Sequence, residues 1–330
     1  MIYSGSYGNI PIDGRWVGWK VKRNSYFDEY YELPSRLPSP LFPAAGLYSS
    51  HDPSLIRQHL YQMHCCGVDS VILLWSPPSR IINNDNSTSG FSDKTLEILL
   101  DAASEFQITA TVQIPQYDGR SNQTIFEDFQ YLYSKYAHHP SYLHIHGNPV
   151  VLIYDPHEIN YLYHSISESH NKGFNFYFIG SVVTQNHIGD ALETGFDSVY
   201  SYFASESFTY CSNISHWKSL VTDSQERNIS FFPTVGPGYD NEKVDVWNHE
   251  ATRSRENGLY YDRMWNAAIE TSPKVIIVNS FNNWMEGTQI ETAINKKGFE
   301  FNERNWCQNG DANEYIERTK KWVKKYKEMN

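Results

Sequence analysis

Two hydrophobic patterns alternate along this chain. Short runs of apolar, β-branched and aromatic residues are typical of buried strands, whereas apolar residues at three- and four-residue intervals are typical of core-facing helices. Leu96, Leu99 and Leu100 follow the helical spacing. The strand pattern occurs eight times, at Ile2–Tyr7, Ser70–Ser76, Thr109–Pro115, Val150–Asp155, Phe176–Val182, Ser198–Phe203, Ser230–Val235 and Lys274–Phe281.

Helix-like stretches fill most of the intervals between the predicted strands. Asp52 precedes the first of them, where its side chain is suited to cap the helix N-terminus. The helices are predicted at Pro53–Cys65, Lys94–Phe106, Ile125–Ala137, Glu158–Glu168, His187–Glu193, His216–Glu226, Ala251–Ile269 and Tyr315–Lys327.

This alternation predicts the fold class. Continuous apolar strands are buried on both faces, and helices between them make neighbouring strands parallel. We therefore predict an α/β protein, a (β/α)8 TIM barrel formed as a single domain over residues 1–330. The competing arrangement is an open doubly wound sheet, but no glycine-rich turn for a dinucleotide follows the first predicted strand.

A long segment, Gly8–Ser50, separates the first predicted strand from the first predicted helix. Its prolines between Leu33 and Pro43 exclude regular structure there. We expect the segment to be either an ordered loop on the catalytic rim of the barrel or a passive surface excursion.

Composition and charge exclude several classes of partner and ligand. The 27 basic and 38 acidic residues give a net charge of −11, which repels the phosphates of nucleic acids. No apolar run has the length of a membrane-spanning helix, so we expect no membrane span in this chain. The four cysteines show no C-x-x-C spacing, and His144-Ile-His146 lies before a strand, so we expect no metal site.

Aromatic residues make up 15% of the chain, and they recur where predicted strands end. In a TIM barrel the active site forms at the carboxyl ends of the strands. Aromatic faces stack on sugar rings and carboxylates protonate glycosidic oxygens, so this combination suits a glycan, although aromatic residues also pack cores. The candidate residues at these strand ends are Trp75, Tyr117, Tyr154, Asp155, Tyr202 and Tyr239.

Glu286 is the strongest catalytic candidate. It follows the last predicted strand beside Trp284, where partial desolvation raises the pKa of a carboxylate toward the range of an acid catalyst. The alternative is that Glu286 is a buried hydrogen-bonding partner that braces the rim loop.

Several segments match a known family in order along most of the chain. They include Gly46–Pro53, Gly195–Phe203, Pro233–Tyr239, Gly258–Tyr261 and Ser280–Glu291. These segments resemble the endo-α-1,2-mannosidases of glycoside hydrolase family 99. The resemblance implies a (β/α)8 barrel that cleaves within the α-mannoside branch of N-glycans in the Golgi lumen, with retention of configuration. It also implies no cofactor, because that hydrolysis needs only carboxylates and water.

The last of these segments carries the most specific part of the resemblance. The family pattern there is F-N-E-W-x-E-G-T-Q-I-E, whose second glutamate is the general acid and base. Its first glutamate takes the proton of the substrate 2-hydroxyl, which gives a 1,2-anhydro sugar. This chain reads Phe281-Asn-Asn-Trp-Met-Glu286, so Glu286 has the acid/base place, while Asn283 replaces the base and has no basicity near neutral pH. A family H-I-E-P-Y motif is likewise changed to Gln113-Ile-Pro-Gln-Tyr117.

Two functional hypotheses follow. The first is a glycoside hydrolase of the endo-α-mannosidase type, with Glu286 as acid/base, the aromatic strand ends and Trp284 as glycan contacts, and activity in question because of Asn283. The second is a protein that binds mannose-containing glycans without cleaving them. Asp155 or Glu291 restores a base if either reaches the 2-hydroxyl. In both cases we expect a monomer whose partner is a mannose-containing oligosaccharide or N-glycan.

Overall fold

The computed structural model describes residues 1–20, 22–24, 27–30, 32–34, 37, 39, 41–78, 80–81, 88–155, 159–242, 250–294 and 312–329. Over these residues the chain forms an α/β fold whose main parallel sheet curls into at least half of a barrel. No described helix combines the length and the apolar composition needed to cross a bilayer.

The described strands form one main sheet, in which most neighbouring strands are parallel, and three separate pairs. The strands are β1 (Ile2–Ser4), β2 (Lys22–Asn24), β3 (Phe27–Tyr30), β4 (Phe42–Pro43), β5 (Ser70–Leu74), β6 (Thr109–Ile114), β7 (His144–Ile145), β8 (Asn148–Ile153), β9 (Tyr177–Ser181), β10 (Ser198–Tyr200), β11 (Ser230–Phe232), β12 (Thr234–Val235), β13 (Ile277–Val278) and β14 (Ala293–Ile294). Their order in this sheet is β1-β5-β6-β8-β9-β10-β11, with β7 antiparallel to β8. Strands β12 and β13 form a separate parallel pair, while β2–β3 and β4–β14 are antiparallel pairs.

Each of the eight predicted strand segments overlaps an observed strand. The segment Ser230–Val235 contains two, β11 and β12, because Pro233 lies between them and has no N–H to continue the ladder. Its carbonyl still accepts a hydrogen bond from the N–H of Ile277 at 3.0 Å. The chain therefore changes pairing partner at this proline.

The strands of the main sheet are buried on both faces, as their continuous apolar runs predict. In β5, Val71 and Leu73 pack into the large cluster that also includes the helices. Between them, Ile72 packs into a second cluster with Ile2 and Ile179 from neighbouring parts of the sheet. This alternation follows from the opposite directions of successive side chains in a strand.

The helices lie between the strands of the main sheet and after the last of them. They are α1 (Ile10–Asp13), α2 (Pro53–Cys65), α3 (Phe91–Ala103), α4 (Asn122–Lys135), α5 (Ile159–Asn171), α6 (Asn186–Thr194), α7 (Trp217–Glu226), α8 (Leu259–Glu270) and α9 (Glu314–Met329). The Asp52 side chain accepts the backbone N–H of Ser54 and caps α2 as predicted. Residue Glu158, the predicted start of α5, lies outside the described residues.

One predicted helix, Ala251–Ile269, is wrong at its beginning, because α8 starts only at Leu259. Asn257 and Gly258 have φ angles of 54° and 86°, in the left-handed region. A right-handed helix cannot continue through residues in that conformation. The apolar spacing of this stretch did not indicate the break.

The described part of the segment Gly8–Ser50 is ordered and packs against the turn that follows β13. The ring of Trp19 stacks on Tyr7 at a centroid distance of 4.0 Å and meets Tyr48 edge-on at 5.1 Å. These aromatic residues share a buried cluster with Trp284. The segment therefore supports the region where the catalytic candidates lie.

We expect Gly236→Ala to destabilise the protein. Gly236 follows β12, and a Cβ at this position would meet the Ala204 side chain and the backbone oxygen of Asn279. Backbone cannot move aside as a flexible side chain can, so the overpacking should cost about 1–3 kcal/mol of unfolding free energy, measured by urea denaturation.

Gly189→Ala is the matched control. Gly189 lies inside α6, and the nearest atom to its added Cβ is the flexible Nη1 end of Arg227, at 3.3 Å. Alanine in a helix should raise the stability by about 0.5–1 kcal/mol. An equal loss in both variants would contradict the packing argument at Gly236.

Candidate active site

A tight turn after β13 brings Asn283 and Glu286 together. The backbone N–H of Asn283 donates to Oγ of Ser280 at 2.8 Å, and the N–H of Glu286 donates to Oδ1 of Asn283 at 3.4 Å. The Asn283 carbonyl accepts the N–H of Thr288 at 3.3 Å. The turn therefore holds the two predicted catalytic positions side by side.

Glu286 is half-buried, and its carboxylate has few donors. Burial raises its pKa from 4.5 to about 7, and hydrogen bonds from Tyr202 and Asn283 oppose that rise. The Tyr202 hydroxyl donates to both carboxylate oxygens, at 3.1 and 3.4 Å. A carboxyl group with this pKa is partly protonated at neutral pH, so it can give up a proton and take one back.

Tyrosines from neighbouring strand ends surround this carboxylate. The rings of Tyr154 and Tyr202 meet edge-on at 4.7 Å. Burial and the charge of Glu286 raise the pKa of Tyr154 to about 12. Burial also raises the pKa of Tyr202, and interactions with Glu286, Tyr154 and Tyr239 add to that rise. Five sequence candidates therefore lie together in the structure: Tyr154, Tyr202, Tyr239, Asn283 and Glu286.

Asp155 follows Tyr154 at the end of β8, and its hydrogen bonds join it to three other residues. Its Oδ2 accepts the side-chain N–H of Gln116 at 3.1 Å, and its carbonyl accepts Nη1 of Arg120 at 3.3 Å. Its backbone N–H donates to Oγ of Ser181 at 2.8 Å. These bonds join Asp155 to residues near the ends of neighbouring strands.

Three aromatic candidates are used for packing. The indole N–H of Trp75 donates to Asp93 at 3.0 Å, and its ring stacks on Tyr131. The hydroxyl of Tyr117 donates to Asp128 at 2.6 Å. Trp75 and Trp284 are 1% and 0% exposed, so neither offers an open face to a sugar ring.

A buried polar network behind the turn was not predicted from the sequence. The Glu291 carboxylate accepts the hydroxyl of Tyr48 at 2.8 Å and the indole N–H of Trp284 at 2.9 Å, and lies 3.2 Å from Nε2 of His59. Both oxygens of Glu291 are thereby engaged, and the residue is 4% exposed. Glu291 is therefore a buried part of this network.

His59 carried the sequence signal that could have revealed this network. It occupies a core-facing position of α2, between the buried residues Ile56 and Met63. A polar residue on an apolar helix face needs a buried partner. The identity of that partner, 232 positions away by residue number, was not readable from spacing.

The structure offers no metal centre in the part of the chain that it describes. No group of three His, Cys, Asp or Glu residues there could hold a metal ion. Nδ1 of His144 donates to the carbonyl of Tyr142 at 2.8 Å.

Comparison with known proteins relates this geometry to carbohydrate-active enzymes. The glycoprotein endo-alpha-1,2-mannosidase of Mus musculus is 32% identical over 346 residues, which cover 98% of this chain and 74% of the mouse protein. The glycoprotein endo-alpha-1,2-mannosidase-like protein of Homo sapiens is 31% identical over 320 residues, which cover 89% of this chain and 68% of the human protein.

Solved structures agree with these relatives. The GH99 endo-alpha-mannosidase from Bacteroides thetaiotaomicron superposes with a TM-score of 0.88 at 30% identity, covering 99% of this chain and 97% of that one. A GH113 beta-mannanase from Alicyclobacillus acidocaldarius, at a TM-score of 0.51 and 10% identity, shares the fold alone. The family profile described as glycosyl hydrolase family 99 matches residues 1–328. This chain therefore belongs to glycosyl hydrolase family 99.

Proposed function

We propose that this chain is a glycoside hydrolase of the endo-α-mannosidase type, in which Glu286 protonates the glycosidic oxygen and Asn283 makes turnover slow. The observation that carries the proposal is the Glu286 carboxylate, whose pKa is about 7 and which lies beside Tyr202 and Asn283. The family assignment supports the reaction class.

We also infer that the sheet closes into the (β/α)8 barrel. Support comes from three backbone hydrogen bonds that continue the ladder past β11. The N–H of Ile277 donates to Pro233, the N–H of Asn279 donates to Val235, and the N–H of Phe281 donates to Ile2 in the first strand, at 3.0, 2.9 and 2.8 Å. Closure places Glu286 at the carboxyl end of the barrel, where such enzymes hold their substrates.

The proposed chemistry retains configuration through a 1,2-anhydro sugar. Glu286 gives its proton to the leaving oxygen as the C1–O bond breaks, and O2 of the same sugar attacks C1 while its own proton passes to solvent water. A second water then opens the anhydro ring at C1 as Glu286 takes the proton of that water, and O2 takes a proton back from solvent. Asn283 can hold the 2-hydroxyl by hydrogen bonds but cannot accept its proton, so the first step lacks its base.

A second candidate function is mannoside binding without cleavage. The identity of residue 283 favours this function. The contacts of Asp155 and Glu291, the two carboxylates that could replace the missing base, also favour it. Glu291 is engaged on both oxygens behind Trp284, and Asp155 is tied to Gln116. Loss of a general base lowers turnover by about 10²–10⁴-fold, whereas other cleft contacts can still bind sugar.

The names of the relatives bear on the substrate and the location. The mouse protein is called a glycoprotein endo-alpha-1,2-mannosidase and the human protein a glycoprotein endo-alpha-1,2-mannosidase-like protein, so we propose a mannose-containing N-glycan as the ligand of this chain. From the family resemblance we propose the Golgi lumen as its place of action. We further propose that it acts as a monomer.

The central prediction concerns Asn283→Glu. On a glucosylated mannose oligosaccharide, we expect this variant to turn over about 10²–10⁴-fold faster than the wild-type chain, because the glutamate restores a base. Turnover would be followed by chromatography of the released disaccharide.

Glu286→Gln in the same Asn283→Glu background is the control, and it should abolish the gain. Equal turnover by the wild-type chain and Asn283→Glu would contradict the assigned role of residue 283. Calorimetry that detects no mannoside binding to either protein would contradict both candidate functions.

The pH dependence of the Asn283→Glu variant should report Glu286. Its kcat/KM should fall as the pH rises above about 7, because the acid form of Glu286 is lost. The Tyr202 hydrogen bond lowers the pKa of Glu286, so Tyr202→Phe should move this fall to higher pH. A fall that stays in place would show that Tyr202 does not act on the acid.

Stability should also depend on Glu286. Its pKa is about 7 in the folded protein and about 4.5 when unfolded, so its contribution is complete below pH 4.5 and is lost as the pH rises through 7. Glu286→Gln lacks this loss. Between pH 4.5 and 8 we expect the variant to gain about 3 kcal/mol of unfolding free energy relative to the wild type, measured by urea denaturation. A constant difference across that range would contradict the raised pKa.

A further inference from the structure

The turn that carries Asn283 and Glu286 is held from behind. We propose that Glu291 is a positioning residue of the site, which fixes this turn by binding the indole N–H of Trp284 while His59 and Tyr48 hold its own carboxylate. The inference rests on the proposed function in that it takes Glu286 to be the acid. It assigns Glu291 no contact with substrate.

The geometry of Glu291 requires a carboxylate. Oε2 accepts two donors, the hydroxyl of Tyr48 and the indole N–H of Trp284, while Oε1 faces Nε2 of His59. An ionised carboxylate has acceptor positions for all of these donors. Glutamine has only one acceptor oxygen, and its NH2 group would face N–H or O–H donors on the other side.

His59 links this carboxylate to the first strand. Its Nδ1 lies 2.9 Å from the hydroxyl of Tyr3. A neutral imidazole satisfies both contacts, because Nδ1 accepts from Tyr3 while Nε2–H donates to Glu291. His59 is 2% exposed, so this arrangement is fixed by the packing of α2.

The network reaches the residues on both sides of Asn283. On the preceding side, the Asn282 side chain donates to Tyr48 at 3.1 Å and bonds both backbone groups of Ser4, at 2.7 and 3.0 Å. On the following side, the backbone N–H of Trp284 donates to the Tyr7 hydroxyl at 3.1 Å. That hydroxyl in turn donates to the Asn282 carbonyl at 3.2 Å.

Asn283 is therefore anchored through its neighbours. Its own side chain remains beside Glu286, where it accepts the Glu286 N–H. When the carboxylate behind Trp284 is lost, this support should loosen and water should gain access to Glu286. The pKa of Glu286 should then fall toward its ordinary value, since burial is what raises it.

The test measures the pKa of Glu286 in the unliganded protein, by NMR of 13C-carboxyl-labelled glutamate in wild type and Glu291→Gln. Glu286→Gln identifies the signal. We expect the Glu286 titration in Glu291→Gln to move to lower pH, and mannoside affinity measured by calorimetry to fall at least tenfold.

Asp262→Asn is the matched control. Asp262 also accepts an indole N–H, from Trp322 at 2.6 Å, and it pairs with Arg318, but it belongs to α8 and both partners belong to α9. This variant should lose stability while the Glu286 titration stays in place. A Glu291→Gln protein that loses stability without moving the titration would overturn the proposal, because that is the behaviour of a structural residue alone.

Tyr48→Phe provides a milder variant if Glu291→Gln does not fold. It removes one donor to Glu291 and the acceptor of the Asn282 side chain, so a smaller shift in the same direction is expected. An unshifted titration in Tyr48→Phe would overturn the proposal. The titration of Glu286 needs no ligand. A wild-type protein that binds no mannoside would therefore contradict the proposed function without deciding the test of Glu291.

Discussion

The cost of burying a carboxylate governs this site. Glu291 and Glu286 follow the same strand, five positions apart, and differ in how many donors they meet. Donors from Tyr48, Trp284 and His59 surround Glu291, so its charge is satisfied and it can support structure. Glu286 has Tyr202 and the Asn283 amide to oppose its burial, and it retains the raised pKa that proton transfer needs.

Under the proposed function, an amide at position 283 changes the chemistry while this support stays in place. Asn283 makes the hydrogen bonds that close the turn, through its N–H, its carbonyl and its side-chain oxygen. The described aromatic residues around the turn are packed together, with Trp19 stacked on Tyr7. Unconstrained sequence change would also damage the packed core around residue 283. The intact core is therefore compatible with selection for a function.

Much of the fold, and part of the site, could be predicted from the sequence. Apolar runs located the strands because burial on both faces leaves a local signal. The positions after strands singled out Tyr154, Tyr202 and Glu286, which lie close together in the structure. The burial of Trp75 and Trp284 was not predicted, because the direction of a side chain beyond a strand depends on the loop that follows. The partnership of His59 with Glu291 is non-local, so no spacing rule could have found it.

The hydrogen bonds between Ser4 and Asn282 join positions 278 apart in the sequence. During translation, the first of these residues leaves the ribosome long before the second exists. The catalytic turn therefore cannot form on a partly synthesised chain, and it should be among the last regions to become native. Until then the Tyr7 hydroxyl lacks both of its late partners in the nascent protein, the N–H of Trp284 and the carbonyl of Asn282.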